Sequence, residues 1–313
     1  MGKTRVLILG ASGMLGSTTT DFFSRDENLS VTATVRSLEL VKKARERINN
    51  VEWRILEVKD EVQTIRQLRN LGDYDWIINA IGIIKPYAHD DRPEEIERAL
   101  IGNATFPHWL ARTFEQSRIL QIATDCVYSG TKGHYTESDK HDALDVYGKT
   151  KSLGEVLLPN VNHLRCSIIG PEPKSYVSLL EWFRRQPLNA KVSGFINHFW
   201  NGVTTLHFTK ICHGIIKDNT PLPHIQHLVP SGDITKHNLL CCFARWYERS
   251  DIEITAVNAP NMIDRRLATE NEETNTELWK NAGYRACPPK IEEMVREMAA
   301  FEYRLGGLEP LTK

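Results

Sequence analysis

Near its start the chain reads Val6-Leu7-Ile8-Leu9-Gly10-Ala11-Ser12-Gly13-Met14-Leu15-Gly16, a short apolar strand passing through Gly-x-x-Gly-x-x-Gly into a helix. Few patterns restrict a fold as strongly. Gly10 permits the sharp turn, Gly13 lets a pyrophosphate approach the backbone, and Gly16 lets the helix pack closely on the strand. The exposed N–H groups and the dipole of the first helical turn favour a phosphate. Taken alone, the same pattern also suits a tight strand–helix turn that holds no ligand. Its position at the head of a strand–helix unit favours dinucleotide binding, with Gly10, Ser12, Gly13, Met14 and Leu15 as the contacts.

The rest of the first half continues in the same rhythm. Residues 6–9, 31–35, 51–58, 76–81 and 119–123 read as strands, and 38–49, 61–71, 94–116 and 147–157 as helices. This alternation predicts an α/β fold: a doubly wound parallel sheet of the Rossmann type, with a smaller C-terminal α/β lobe. Beyond residue 160 the periodicity loosens. Residues 163–169 read as a buried strand stopped by Pro171-Glu172-Pro173, and 179–185, 235–247 and 291–303 as helices. The dinucleotide-binding domain is accordingly set at residues 1–165 plus about 196–222, and the substrate-binding lobe at 166–195 and 223–313. The tail 305–313 reads as loosely held.

Composition removes several function classes. The 313 residues carry a formal net charge of −1, so no overall field draws nucleic acid or an anionic membrane. No stretch approaches the roughly 20 apolar residues of a membrane span. The run at 6–9 is too short for a signal-peptide core, so a cytoplasmic chain is expected. The cysteines at 126, 166, 212, 241, 242 and 287 show neither zinc-ligand spacing nor a disulfide framework. His198, His207, His213, His224 and His227 cluster only loosely, and no metal is expected.

The end of the second strand bears on the cofactor. An NAD site commonly carries Asp or Glu there for the ribose hydroxyls. This chain reads Thr34-Val35-Arg36-Ser37, and the planar fork of Arg36 suits a 2′-phosphate. NADP(H) is therefore favoured, with NAD(H) retained as an alternative because Arg36 also reads as a solvated surface residue.

The most specific signal is Thr124-Asp125 followed by Tyr147-Gly148-Lys149-Thr150-Lys151. A four-residue spacing puts Tyr147 and Lys151 on one face of a helix. A nearby ammonium stabilises tyrosinate and lowers the phenol from its ordinary value of about 10. Tyr147 can then act as proton donor to a carbonyl, with Thr124 at a strand end giving that oxygen a second hydrogen bond. Tyr-x-x-x-Lys alone also fits an amphipathic surface helix, but its combination with the glycine loop and Thr124 points to hydride-transfer chemistry.

With these motifs in place, the chain resembles the extended short-chain dehydrogenases/reductases, and within them the dTDP-4-dehydrorhamnose reductase-like group. The resemblance is carried by the glycine loop, Asn79-Ala80-Ile81-Gly82, Gly102-Asn103-Ala104, Thr124-Asp125-Cys126-Val127-Tyr128-Ser129-Gly130 and Tyr135-Thr136-Glu137. Residues 147–155, Asp264-Arg265-Arg266-Leu267 and Ala282-Gly283-Tyr284 continue it in order. It implies catalytic roles for Thr124, Tyr147 and Lys151, and a cofactor bordered by Asn79, Ala80, Gly82, Cys166 and Ile168. Lys151 would also contact the nicotinamide ribose. It implies as well a nucleotide-sugar substrate with a 4-keto group, met by Thr124, Asp125, Cys126, Tyr147, Trp200 and Asn201, with the C-terminal lobe closing over it.

The departures concern the sugar. Cys126 stands where an aromatic residue is common, the prolines usual before the catalytic Tyr are missing from 141–146, and 197–205 differs from the rhamnose-pathway pattern. Trp200 suits stacking on a base or sugar and suits a core position equally well. A nucleotide-sugar epimerase of the same fold is the rival enzyme. Dehydration is disfavoured because Cys126 follows Asp125 where dehydratases carry an acidic pair. A non-catalytic cofactor-binding subunit, like the regulatory β subunit of methionine adenosyltransferase, is the rival from another class. The presence of both Tyr147 and Lys151 favours an enzyme. A homodimer is compatible with the sequence.

Overall fold

A computed structural model describes residues 2–306. Its first half is built from β1 (Thr4–Leu9), α1 (Met14–Phe23), β2 (Leu29–Val35), α2 (Leu38–Arg47), β3 (Glu52–Ile55), α3 (Glu61–Arg69) and β4 (Trp76–Asn79). There follow α4 (Pro93–Ala99), a π-helical turn (Leu100–Thr105), α5 (Phe106–Thr113), β5 (Arg118–Thr124), α6 (Val146–Leu153) and β6 (Val161–Cys166). The second half contains β7 (Ile168–Ile169), α7 (Leu179–Arg184), β8 (Lys191–Phe195), β9 (His198–Trp200), β10 (Val203–Thr204), α8 (Thr205–Asp218) and β11 (Ile225–His227). It ends with β12 (Ile234–Thr235), α9 (Lys236–Trp246), β13 (Glu253–Val257), β14 (Ile263–Asp264), α10 (Glu272–Asn281) and α11 (Ile291–Ala300).

Seven strands form one parallel sheet in the order β11-β6-β5-β4-β1-β2-β3. β1 shows why both faces must be covered. Successive side chains point to opposite faces, so Val6 and Ile8 enter one buried cluster while Leu7 and Leu9 enter the other. Burying such a side chain stabilises by about 1.5–3 kcal/mol, so helices on both faces follow from the sequence of one strand. From β1 the chain winds outward to β2 and β3, then returns to β4 and continues the other way. The crevice at the C-terminal ends of β1 and β4 is therefore the topological switch point, where ligands bind in such folds.

Several elements differ from the expectation. Residues 94–116 are three segments rather than one helix. Pro107 lacks the N–H that an α-helical ladder needs, and the preceding turn widens into the π turn around Gly102 and Asn103. The strand expected at 76–81 stops at Asn79, whose side-chain oxygen takes the N–H of Ile81 at 3.0 Å and turns the chain. The strand expected at 51–58 is regular only over Glu52–Ile55. Helices α8 and α10 are additional. α8 packs on α1 through Thr18–Thr205 (3.1 Å) and Thr19–Thr209 (3.0 Å) hydroxyl contacts. Of the expected loose tail, Leu305 is buried beside Arg304, which is tied to Asp21; residues 307–313 lie outside the described residues.

The remaining strands form small sheets of two or three strands. β8 pairs with β13, and β9 lies between β12 and β14. No helix among the described residues is long and apolar enough to cross a membrane.

Candidate active site

The glycine loop is fixed from both neighbouring strands. Gly10 N–H donates to Thr34 Oγ1 at 3.1 Å, and Ala11 N–H to the Thr34 carbonyl at 2.8 Å. Gly10 has φ +82°, and a Cβ there would meet Ile81 at 3.0 Å and the Ala80 backbone at 3.3 Å. A Cβ at Gly16 would collide with the Gly10 carbonyl, so a glycine is required for α1 to start so close to the turn. A Cβ at Gly13 would meet only the Gly10 oxygen, at 3.3 Å. Gly13 caps α1 without a side-chain hydrogen bond, so its own position adds nothing over the first-turn amides. A loop with this shape fits a dinucleotide pyrophosphate. Arg36 is exposed two residues beyond Thr34, at the edge of the same crevice.

Beside the loop, β5 delivers Thr124 and α6 delivers Tyr147 and Lys151. Asp145 caps α6 by accepting from Gly148 N–H at 2.7 Å. Gly148 sits against the Cys126 carbonyl with no room for a side chain, so α6 docks directly on the end of β5. Lys151 Nζ donates to the Ile122 carbonyl at 3.1 Å. A Cβ on Gly82 would lie 4.0 Å from that ammonium and 3.1 Å from Asn103 Oδ1. Asn103, in the π turn, accepts from Ile83 N–H at 2.7 Å and donates to the Ile83 carbonyl at 2.9 Å and to Thr150 Oγ1 at 3.3 Å. It thereby ties the loop after β4 to α6.

The electrostatics of this group differ from the sequence expectation. Burial is the main influence on Tyr147 and pushes its phenol above the usual 10.0. Neighbouring Cys126 adds to the rise, and the Thr124 hydroxyl, as a hydrogen-bonding partner, pulls the other way. Lys151, expected to hold the phenol down, is itself lowered by burial from 10.5 to about 8, with Glu155 opposing the shift. Its ammonium donates to the Ile122 carbonyl. Burial also raises the Asp125 carboxyl, against the pull of Arg265 and Lys236, and pushes the Cys126 thiol up to about 12. Cys126 is thus a neutral thiol and not a nucleophile.

The other expected residues fall into two groups. Cys166 is buried and aligned with Thr124 in the β5–β6 register, and Ile168 pairs with Val203, so both border the same strand ends. Asn79 is fully buried, and its amide is used by Gln121 (2.7 Å) and Ile81. Trp200 is buried in the main core, with Nε1 donating to Ser167 Oγ at 2.8 Å. Asn201 bonds both backbone groups of Leu267, at 2.7 and 2.9 Å.

Sequence reasoning did not single out Asn103, Arg265 or Lys236. Arg265 donates to the Tyr128 and Ser129 carbonyls at 2.9 and 3.2 Å, and Lys236, at the start of α9, acts on Asp125 across the site. Signals for the first two were present in the motifs Gly102-Asn103-Ala104 and Asp264-Arg265-Arg266-Leu267, without a role for either side chain. Arg265 and Lys236 arrive from the distant C-terminal lobe.

A family model described as the RmlD substrate binding domain matches residues 4–170, more than half of the chain. The chain belongs to this family. It is thereby an NAD(P)-dependent oxidoreductase-type chain of the extended short-chain dehydrogenase/reductase class, dTDP-4-dehydrorhamnose reductase-like. Among curated proteins none matches. Solved structures similar to this RmlD-family chain include a dTDP-4-dehydrorhamnose reductase from Clostridium acetobutylicum, 19% identical with TM-score 0.68, covering 95% of this chain and 99% of that one. A reductase of the same description from Bacillus anthracis, in complex with NADP, is 17% identical with TM-score 0.68, covering 95% and 98%. A UDP-glucuronic acid 4-epimerase from Bacillus cereus, in complex with UDP-glucuronic acid and NAD, is 13% identical with TM-score 0.68, covering 95% and 99%. Identities this low carry the fold.

Proposed function

We propose that this RmlD-family chain reduces the 4-keto group of a nucleoside-diphosphate-linked deoxysugar with NADPH. The observation that carries the reading is the meeting of Thr124, Tyr147 and Lys151 at the C-terminal ends of β4 and β5, beside a glycine loop shaped for a pyrophosphate. A bound nicotinamide supplies the hydride, chemistry that no side chain provides. Tyr147 holds the proton that the ketone oxygen takes up as C4 is reduced, and Thr124 gives the same oxygen a hydrogen bond. The Ile122 carbonyl orients the Lys151 ammonium, whose charge favours the tyrosinate that proton transfer leaves behind. Gly10, Ser12, Gly13, Met14 and Leu15 cradle the pyrophosphate. Ala80, Gly82, Cys166 and Ile168 border the nicotinamide half, with Asn79 holding the turn behind them.

Arg36 supports the phosphorylated cofactor, since an exposed guanidinium just past Thr34 stands where a ribose 2′-phosphate would come. Asp125 and Cys126, flanked by Arg265 and Lys236, form the wall that meets the sugar. The NADP complex of the Bacillus anthracis reductase is consistent with this choice.

The test is a panel of nucleoside-diphosphate 4-keto sugars incubated with NADPH, following NADPH consumption and the reduced sugar. Turnover of at least one keto sugar is expected, with NADPH preferred over NADH. Tightly retained oxidised cofactor, with interconversion of 4-epimers and no net consumption of NADPH, would replace this reading by epimerisation.

A further inference from the structure

A cation reaches the glycine loop from the other half of the chain. Lys174 Nζ lies 3.3 Å from Ser12 Oγ, although 162 residues separate the two. Lys174 belongs to the stretch 170–178, which leaves β7 and leads into α7, so it connects the cofactor side of the crevice with the substrate lobe. The stretch is anchored along its length. Gly170 packs against the Thr205 side chain with no room for a Cβ, and Pro171 and Pro173 restrict the backbone. Buried Glu172 accepts from Ser178 N–H at 2.8 Å, and Tyr176 N–H donates to the Lys174 carbonyl at 2.8 Å.

We propose that Lys174 is a ligand of the dinucleotide pyrophosphate, carried across the glycine loop by this stretch of chain. The inference rests on the cofactor reading above and adds a residue to it. The helix terminus supplies only a partial positive charge, equivalent to roughly half an elementary charge, while a pyrophosphate brings full negative charges. An ammonium one hydrogen-bond length from the Ser12 hydroxyl is close enough to meet an anion seated on the amides of residues 12–15.

Arg36 and Lys174 then divide the phosphate work. The 2′-phosphate distinguishes NADPH from NADH, whereas both cofactors contain the pyrophosphate. Lys174 therefore sets affinity for both cofactors alike, and Arg36 sets the affinity for NADPH alone and with it the preference.

The experiment titrates the full chain with NADPH and, separately, NADH, without substrate, by calorimetry, for wild type, K174M, K174R and R36A. K174M is expected to weaken both cofactors by a similar factor of at least about tenfold, the worth of one hydrogen bond to a charged group. K174R retains most of the affinity, and R36A weakens NADPH while sparing NADH. Affinity should also fall less steeply with salt in K174M than in wild type, for both cofactors. Wild-type affinity and an unchanged salt slope in K174M would overturn the proposal, as would a loss confined to NADPH. A wild-type chain that binds neither cofactor would overturn the cofactor reading itself, which distinguishes that failure from a failure at Lys174. Melting of the cofactor-free variants reports the fold separately, and a K174M chain that melts early is judged by K174R and the salt slope.

Discussion

Two cations are buried on either side of the end of α6, and their surroundings are opposite. Arg165 on β6 is fully enclosed and saturated. It makes a forked pair with Glu155 at 2.7 Å to each oxygen, and donates to Tyr128 Oη (2.8 Å), His227 Nε2 (2.7 Å) and His141 Nε2 (2.9 Å). Lys151 is also buried, less completely, and among the described residues its ammonium donates to one carbonyl, that of Ile122, at 3.1 Å. Glu155, four residues along, acts on both: it closes the Arg165 pair and resists the loss of charge at Lys151. A saturated cation has no capacity for a ligand and fastens the lobes together through His227, which in turn bonds Ala268. A sparsely partnered cation can change its protonation and its company. The first is how a fold secures a charge, and the second is how a site keeps one available.

The largest effect that tests this contrast is chemical. Tyr147→Phe is expected to lower kcat by about 10²–10⁴-fold, the range of a positioned general acid, with NADPH affinity unchanged. Lys151→Met should lower kcat comparably, yet leave melting unchanged or raised, since removing a poorly paired buried charge relieves its desolvation. Retention of wild-type turnover in Tyr147→Phe would end the proposed mechanism. A large drop in melting temperature for Lys151→Met would show that Lys151 is a structural cation like Arg165.

Arg165→Met should show the reverse. It leaves Glu155 buried without its partner, and breaking a buried pair typically costs about 3–5 kcal/mol. A fall in unfolding free energy of that size, read from urea denaturation, with kcat largely kept in the folded fraction, would sharpen the contrast. A stable but inactive variant would mean that the pair positions α6 for chemistry.

The two sites should also respond to pH in different windows. Lys151 titrates at about 8 in the folded protein against 10.5 ordinarily, so its charged form is lost as pH rises through about 8. Activity that needs the cation should decline there, by up to about tenfold per pH unit. Stability should rise between pH 8 and 10.5, because in that window the unfolded chain binds the proton more tightly. His227 is held at about 4, first by burial and then by Arg165, against an ordinary 6.5. The unfolded chain therefore binds more protons between these values, and stability should be lost as pH falls from 6.5 towards 4. Urea midpoints and kcat measured across both windows check the signs. A kcat that is flat through pH 8 would remove the need for the Lys151 charge.

The sequence made one of these two regions far more legible than the other. The glycine loop and the Tyr147–Lys151 pair are local patterns, and their spacing carries their geometry. The Arg165 group draws on His141, Tyr128 and His227, as many as 62 residues away, and nothing in their spacing announces that they converge. The π turn was hidden for a related reason: Pro107 was visible, but the register shift it permits depends on Asn103 reaching Ile83 and Thr150. Helix α8 was legible and overlooked. Leu206, Phe208, Ile211, Cys212, Ile215 and Ile216 repeat at helical spacing, but the β-branched Val203-Thr204-Thr205 before them weakens the start. Thr204 is in fact the cap, accepting from His207 N–H.

Trp200 gives the smallest effect and the finest test of the boundary between core and site. Its nitrogen is spent on Ser167, its indole carbon edge lies so close to Gly202 that a Cβ there would not fit, and it belongs to the main core cluster. Trp200→Phe keeps an aromatic ring but removes the donor, leaving the Ser167 hydroxyl to find another partner. The expected cost is at least about 1 kcal/mol, from the lost neutral hydrogen bond and the core volume the smaller ring leaves unfilled, read as a fall in urea midpoint. If the ring serves only the core, KM for the nucleotide sugar stays at the wild-type value. If it also stacks on the sugar or base, KM rises while kcat holds, because uniform binding is lost and transition-state contacts are not. A rise in KM without a fall in stability would move Trp200 from the wall behind the site to its surface, and with it the stretch 197–205 that sets this chain apart from the rhamnose-pathway pattern.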